Sequence, residues 1–140
     1  QGAEFIADAS KLTRLSYLSL YSNKIGGDAE EALVLFPDPM GATGTSIADA
    51  ISIYRDEVEG NPRKIICAHL IITPEYLKKI TTIHPYVSIY ALRLDRGLSP
   101  EEIMETVPGE RWDEEKGLNE RQYIVPGAGG LGEIINNSFV

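Results

Sequence analysis

Three strongly apolar runs constrain this chain more than any other feature of its sequence. Residues 32–36 read A-L-V-L-F, residues 64–72 read K-I-I-C-A-H-L-I-I, and residues 87–92 read V-S-I-Y-A-L. Each is strand-sized, and the second is rich in branched side chains. Runs with few polar breaks suit strands covered on both faces, which is the condition of a parallel sheet.

The segments between the runs read as helices. In residues 46–57 the apolar side chains Ile47, Ala50, Ile51 and Tyr54 recur at helical spacing, with Val58 just beyond. Thr73-Pro74-Glu75 opens a second helix, with Thr73 as N-cap and Pro74 in the first turn, and this helix ends near His84-Pro85. Strand, helix, strand, helix, strand in that order predicts an α/β fold, a parallel β-sheet flanked by helices. Upstream, residues 1–10 read as the end of a helix, 15–21 as a short strand and 23–28 as a loop. Downstream, Ser99-Pro100-Glu101-Glu102 reads as a capping box opening a short helix over 100–106. Residues 117–132 are loop, with Gly127, Gly129, Gly130 and Gly132 crowded together. The whole chain, 1–140, reads as a single domain.

Charge narrows the partners. The net charge is −8, without a basic stripe, which argues against duplex nucleic acid or RNA as the main ligand. A small anion remains compatible, because it needs only a local patch of donors. One cysteine, Cys67, makes no internal disulfide and fits a reducing, cytoplasmic setting. No apolar stretch is long enough to span a membrane. The chain starts at Gln1 without a signal-type segment, so the expectation is a piece lacking an upstream portion.

The chemistry concentrates in Asp38-Pro39-Met40-Gly41-Ala42-Thr43-Gly44-Thr45-Ser46. This segment follows a strand and opens a helix, where open α/β sheets bind ligands. Gly41 and Gly44 allow close backbone approach, and Thr43, Thr45 and Ser46 offer hydroxyls. The unpaired amides of a helix start favour an anion. Asp38 repels phosphate but can accept hydrogen bonds from sugar hydroxyls, so the pattern predicts a ribose 5-phosphate site. A plain strand-to-helix loop, capped by Thr45 or Ser46, is the alternative on chemistry alone.

Residues 37–46 resemble the phosphoribosyl pyrophosphate (PRPP) loop of type I phosphoribosyltransferases, and their D-P-M-x-A-T-G-x-S form resembles the uracil phosphoribosyltransferases in particular. A second segment, Gly117-Leu118-Asn119-Glu120 followed by Tyr123-Ile124-Val125-Pro126-Gly127-Ala128-Gly129, is similar to that family's uracil-binding motif. The resemblance runs from about Leu15 onward. It implies a type I phosphoribosyltransferase fold with a small C-terminal hood over the base. It implies PRPP and uracil as substrates, UMP and pyrophosphate as products, Mg²⁺ carried in on PRPP without side-chain ligands, and self-association as a dimer or higher. A GTP-type effector site belongs to the same set of expectations. Asp38 would hold the ribose hydroxyls and stabilise positive charge on the ring as the catalytic residue. Pro39, Met40 and Gly41 would complete the PRPP loop, and Ala42, Thr43, Gly44, Thr45 and Ser46 would wrap the 5-phosphate. Tyr123, Ile124, Gly129, Gly130 and Leu131 would form the uracil site, with Ile124 presenting backbone groups to the base edge.

Three departures from the family pattern stand out. Gly130 replaces an aspartate that contacts PRPP, Ser22 replaces an arginine, with Lys24 close by, and residues 97–116 form an insertion. They keep open a second reading, a nucleotide- or phosphate-binding regulatory module with weak or no transferase activity. Elsewhere the expectations are structural: His69 a satisfied core histidine, His84 a loop residue and Cys67 a buried thiol. The acidic residues Glu101, Glu102, Glu105, Glu110, Asp113, Glu114 and Glu115 read as a solvated face, with a lid over the site as the alternative and Trp112 as the anchor of that lid or of a subunit contact.

Overall fold

A computed structural model describes residues 27–131. The helix and strand readings at 1–10 and 15–21, and the departure at Ser22, lie outside the described residues, as do Lys24 and Gly132.

The central strand is β3, Lys64–Ile72, with the bounds its apolar run predicts. Along one of its edges run β1, Leu33–Pro37, and β2, Met40–Gly41, both parallel to it in one continuous register. The two are a single strand path interrupted at Asp38-Pro39, where proline removes a donor from the ladder. On the other edge β4, Ser88–Leu94, pairs parallel to β3. Helix α1, Thr45–Asp56, links β2 to β3, and helix α2, Pro74–Ile83, links β3 to β4. Thr73 caps α2 by accepting from the Tyr76 N–H at 3.0 Å, with Pro74 in the first turn. The predicted parallel α/β architecture is the one observed.

Both helices pack on the same side of the sheet. Ile47, Ala48 and Ile51 from α1 meet Tyr76 and Ile80 from α2 over Val34, Ile65, Cys67 and Ile72. Ile51 and Ile80 are fully buried, each worth roughly 2 kcal/mol of apolar transfer. The opposite side differs from the expectation of strands covered on both faces. Leu33, Leu35, Leu70, Tyr90 and Leu92 are exposed there, beside an apolar groove of about 640 Å³. Two features of the described chain account for this: both helices fall on one side, and β4 is an edge strand, exposed at Tyr90, Ala91 and Leu92.

Near its end β3 becomes irregular. The N–H groups of Leu70 and Ile71 both donate to the Pro39 carbonyl, at 3.1 and 3.2 Å. Beyond that point two consecutive residues are buried in different places. Ile72 joins the helix-side core, while Ile71 packs with Leu118 and Ile124.

The segment after β4 is more ordered than its polar sequence suggests. The short helix, α3, covers Glu101–Met104 and is capped at Pro100 with no side-chain bond, so the expected capping box does not form. Ser99 is occupied elsewhere: its Oγ accepts from the Lys116 N–H at 2.8 Å. Arg96 anchors the segment by donating from Nη2 to the carbonyls of Met104 (3.1 Å) and Thr106 (2.6 Å). Its Nη1 lies 3.4 Å from Glu115 Oε1, and both side chains are buried. The other acidic residues of the stretch are exposed, as expected of a solvated face; Glu115 is the exception.

Because Arg96 neutralises a buried carboxylate, removing it alone strands a charge. Arg96→Met should lower the unfolding free energy by about 3 kcal/mol. The double change with Glu115→Met should recover part of that loss. Urea titration reads both, and a single variant within error of the parent contradicts the anchoring role.

Candidate functional site

The loop after β2 is shaped from below by packing. Gly41 faces α2 so closely that a Cβ would sit 2.8 Å from the Tyr76 ring and 2.9 Å from Ile72. Thr73 Oγ1 donates to the Ala42 carbonyl at 2.6 Å, and the Thr73 N–H donates to the Gly41 carbonyl at 3.1 Å. Gly44 then takes a left-handed conformation, φ 75°, and serves as the N-cap of α1 without any side-chain bond. Neither Thr45 nor Ser46 caps the helix, in contrast to the plain-loop alternative. The start of α1 therefore keeps its partial positive charge without a capping oxygen of its own.

The loop hydroxyls gather at this helix start. Thr43 Oγ1 lies 3.2 Å from Thr45 Oγ1 and accepts weakly from the Thr45 N–H at 3.4 Å. Lys79, reaching from α2, donates to Thr45 Oγ1 at 2.6 Å. Asp38, Met40, Gly41, Ala42, Thr43, Gly44, Thr45, Ser46, Ile47 and Tyr76 enclose a hollow of about 120 Å³. Among the described residues on its wall, Asp38 is the only carboxylate. One of its oxygens, Oδ1, accepts from the Met40 N–H at 3.1 Å, which orients the side chain. Pro39 lies just outside, in the bare-face groove.

A buried relay fixes the Asp38 backbone. His69 Nδ1 lies 2.6 Å from the Asp38 carbonyl and Nε2 lies 2.6 Å from the Tyr76 hydroxyl. A carbonyl only accepts, so Nδ1 carries the proton and Nε2 accepts from tyrosine. Burial lowers the His69 pKa, partly opposed by the Asp38 carbonyl, and burial raises that of the Tyr76 phenol. Burial likewise raises the pKa of the Cys67 thiol. His69 is thus a satisfied core histidine, as read from the sequence. His84 is more than the loop residue expected: it is fully buried, donates from Nε2 to the Ala48 carbonyl at 2.9 Å, and ties α2 to α1.

The glycine-rich segment folds as a small hood. Leu118 and Ile124 face each other across an antiparallel bridge, as do Ile124 and Gly129. Both oxygens of Glu75, in the first turn of α2, accept from the Gly117 N–H at 3.1 Å, and Oε1 also accepts from the Leu118 N–H. Asn119 Oδ1 accepts from the N–H groups of Arg121 and Tyr123. The Ile124 side chain is buried, and its carbonyl accepts from Ala128 (3.0 Å) and Gly129 (2.7 Å). Beneath the hood, the buried Asp95 accepts from the Gly97 N–H at 2.9 Å through Oδ1, and a Cβ on Gly127 would collide with its other oxygen.

The fold brings the two motifs together. Met40 and Ala42 of the loop, and Ala128 of the hood, pack on the cluster formed by Ile71, Leu118 and Ile124. Tyr123, Gly129, Gly130 and Leu131 belong to the hood but do not line the hollow. Lys79 and Tyr76 were missed by sequence reasoning. Both sit on an ordinary amphipathic helix, and only the turn of α2 aims them at the loop.

Among the described residues no three His, Cys, Asp or Glu gather as a metal site. With Asp38 alone on the wall, the donors fit a divalent cation only if a polyphosphate supplies most of its ligands. No helix among the described residues is long and apolar enough to cross a membrane.

Comparison with known proteins agrees with this geometry. Residues 12–110 match the family model described as uracil phosphoribosyltransferase. The chain is 37% identical over 113 residues to the uracil phosphoribosyltransferase of Clostridium botulinum (strain Eklund 17B), covering 81% of this chain and 43% of that protein. It is 32% identical over 116 residues to the enzyme of the same name from Campylobacter concisus, covering 83% of this chain and 45% of that protein. The chain thus spans less than half the length of these relatives. The solved structure of the AQ2163 protein from Aquifex aeolicus superposes with a TM-score of 0.59 at 26% identity, covering 81% of this chain and 43% of that one.

The neutral His69 gives stability a pH dependence of known sign. Its folded pKa lies below the ordinary 6.5, so its contribution is complete above that pH and is lost as pH falls below it. Urea midpoints should drop between about pH 7.5 and pH 5.5, and a His69→Gln chain should drop less. Equal slopes in the two chains contradict the relay.

Proposed function

Because the chain belongs to the uracil phosphoribosyltransferase family, we propose that it forms UMP and pyrophosphate from uracil and PRPP. The observation that carries the proposal is the uncapped start of α1, with hydroxyls gathered on it and Asp38 beside it. A phosphomonoester satisfies such a helix start without a dedicated basic motif.

In this reading Ala42, Thr43, Gly44, Thr45 and Ser46 bind the 5-phosphate and Asp38 accepts hydrogen bonds from the ribose hydroxyls. Pro39, Met40 and Gly41 shape the approach. Tyr123, Ile124, Gly129, Gly130 and Leu131 form the edge that meets uracil. The Ile124 carbonyl is already engaged within the hood by the N–H groups of Ala128 and Gly129. Backbone groups suit uracil, whose C=O and N–H groups alternate around the ring. A 4-amino base leaves donors facing donors and is rejected.

The bond to form joins uracil N1 to ribose C1, and the bond to break joins C1 to the pyrophosphate oxygen. The N1 proton passes to solvent, and the C–O electron pair leaves with pyrophosphate. Positive charge builds on the ribose ring in between, and the Asp38 carboxylate stabilises it. The loop and the hood hold the two reactants in line, and that positioning provides most of the acceleration. Mg²⁺, when bound through PRPP oxygens, neutralises the leaving group. Self-association belongs to the same proposal.

The assay is direct: the chain, Mg²⁺, PRPP and uracil should yield UMP. Binding of UMP without any turnover supports the regulatory-module reading instead, which the Gly130 and Ser22 departures favour. Asp38→Asn should lower kcat/KM for PRPP by about a hundredfold with little change in melting temperature. Unchanged kinetics with a large loss of melting temperature contradict the role of Asp38.

A further inference from the structure

Ten lysines and arginines lie among the described residues, and their surroundings separate one from the rest. Arg55, Lys78, Arg93, Arg96 and Arg111 each have a carboxylate within ion-pair reach. Arg63, Lys64, Lys116 and Arg121 are exposed and solvated. Lys79 is half-buried and has no carboxylate partner among the described residues. Its ammonium donates to a neutral hydroxyl, Thr45 Oγ1, at 2.6 Å.

That position is unfavourable in isolation. Thr45 is the first residue of α1, so the ammonium stands against a helix start that already carries partial positive charge. Thr45 Oγ1 is a weak answer to two positive groups. A half-buried cation loses part of its hydration and normally recovers the loss from an anion. Asp38, on the wall of the hollow that Thr45 also lines, makes no ion pair with it. The hollow of about 120 Å³ leaves room for a small anion and little more.

We propose that Lys79 is a phosphate-contacting residue of this loop, an ammonium supplied from α2 that pairs with the phosphomonoester held at the start of α1. The inference rests on the reading of the loop as a 5-phosphate site and adds to it a charge that the loop motif lacks. Two of the three ammonium protons remain for phosphate oxygens while the third stays on Thr45. The site should then prefer the dianion of a phosphate monoester over the uncharged nucleoside.

The test is calorimetry on the full chain with ribose 5-phosphate, with uridine as the uncharged control. Lys79→Gln should weaken ribose 5-phosphate binding about tenfold, the worth of one charge-assisted hydrogen bond. Lys79→Arg should retain most of the affinity, and uridine binding should not change. Parent affinity for ribose 5-phosphate should also fall with added salt, more steeply than that of Lys79→Gln. Should the Gln variant melt early, the parent's salt dependence and the Arg variant decide. Equal ribose 5-phosphate affinity in parent and Gln variant, or a salt-insensitive parent, overturns the role of Lys79 and leaves the transferase reading standing. No ribose 5-phosphate binding by the parent overturns the phosphate reading itself, and this inference with it.

Discussion

Two neighbouring isoleucines at the end of β3 join the halves of the described chain. Successive residues of a strand face opposite ways. Ile72 is packed into the core made with α1 and α2, and Ile71 into the cluster made with Leu118 and Ile124. The loop between β2 and α1 and the hood approach each other through this pair, because Met40 and Ala42 rest on the Ile71 cluster.

The loop itself is held by buried side chains of β3 and α2. Tyr76 fills the space that a side chain on Gly41 would need, and its hydroxyl supports His69, which in turn fixes the Asp38 carbonyl. Thr73 restrains Ala42 while capping α2. Most polar atoms around Asp38 are therefore committed to structure, and the start of α1 is the place where donors are left over. Donors held in place by such packing are preorganised.

Much of this was legible in the residues. Apolar runs located β3 to the residue and β1 and α1 to within one, because the faces of strands and helices that enter a core must be apolar. The two motifs were legible because glycine, threonine and proline carry strong local conformational signals. What the sequence hid was relational. Val87 to Leu92 looks like a core strand, yet among the described residues β4 is an edge, and edge position depends on what pairs beyond it. The capping box at Ser99 failed because Lys116 competes for the same hydroxyl. Residues 97–116 read as polar loop, and only folding reveals Glu115 buried there against Arg96. His84 and Lys79 carry no local signal at all, since their partners Ala48 and Thr45 lie on a different helix.

The central claim is that the turn between β2 and α1 receives a sugar phosphate while the neighbouring hood receives a base. Backbone amide NMR during titration with UMP tests it most directly. The account predicts saturable shifts at the amides of Thr43 to Ile47, accompanied by shifts at Ile124 and Gly129. Shifts confined to Leu70, Tyr90 and Leu92 on the bare face of the sheet, or none at saturating UMP, would contradict it.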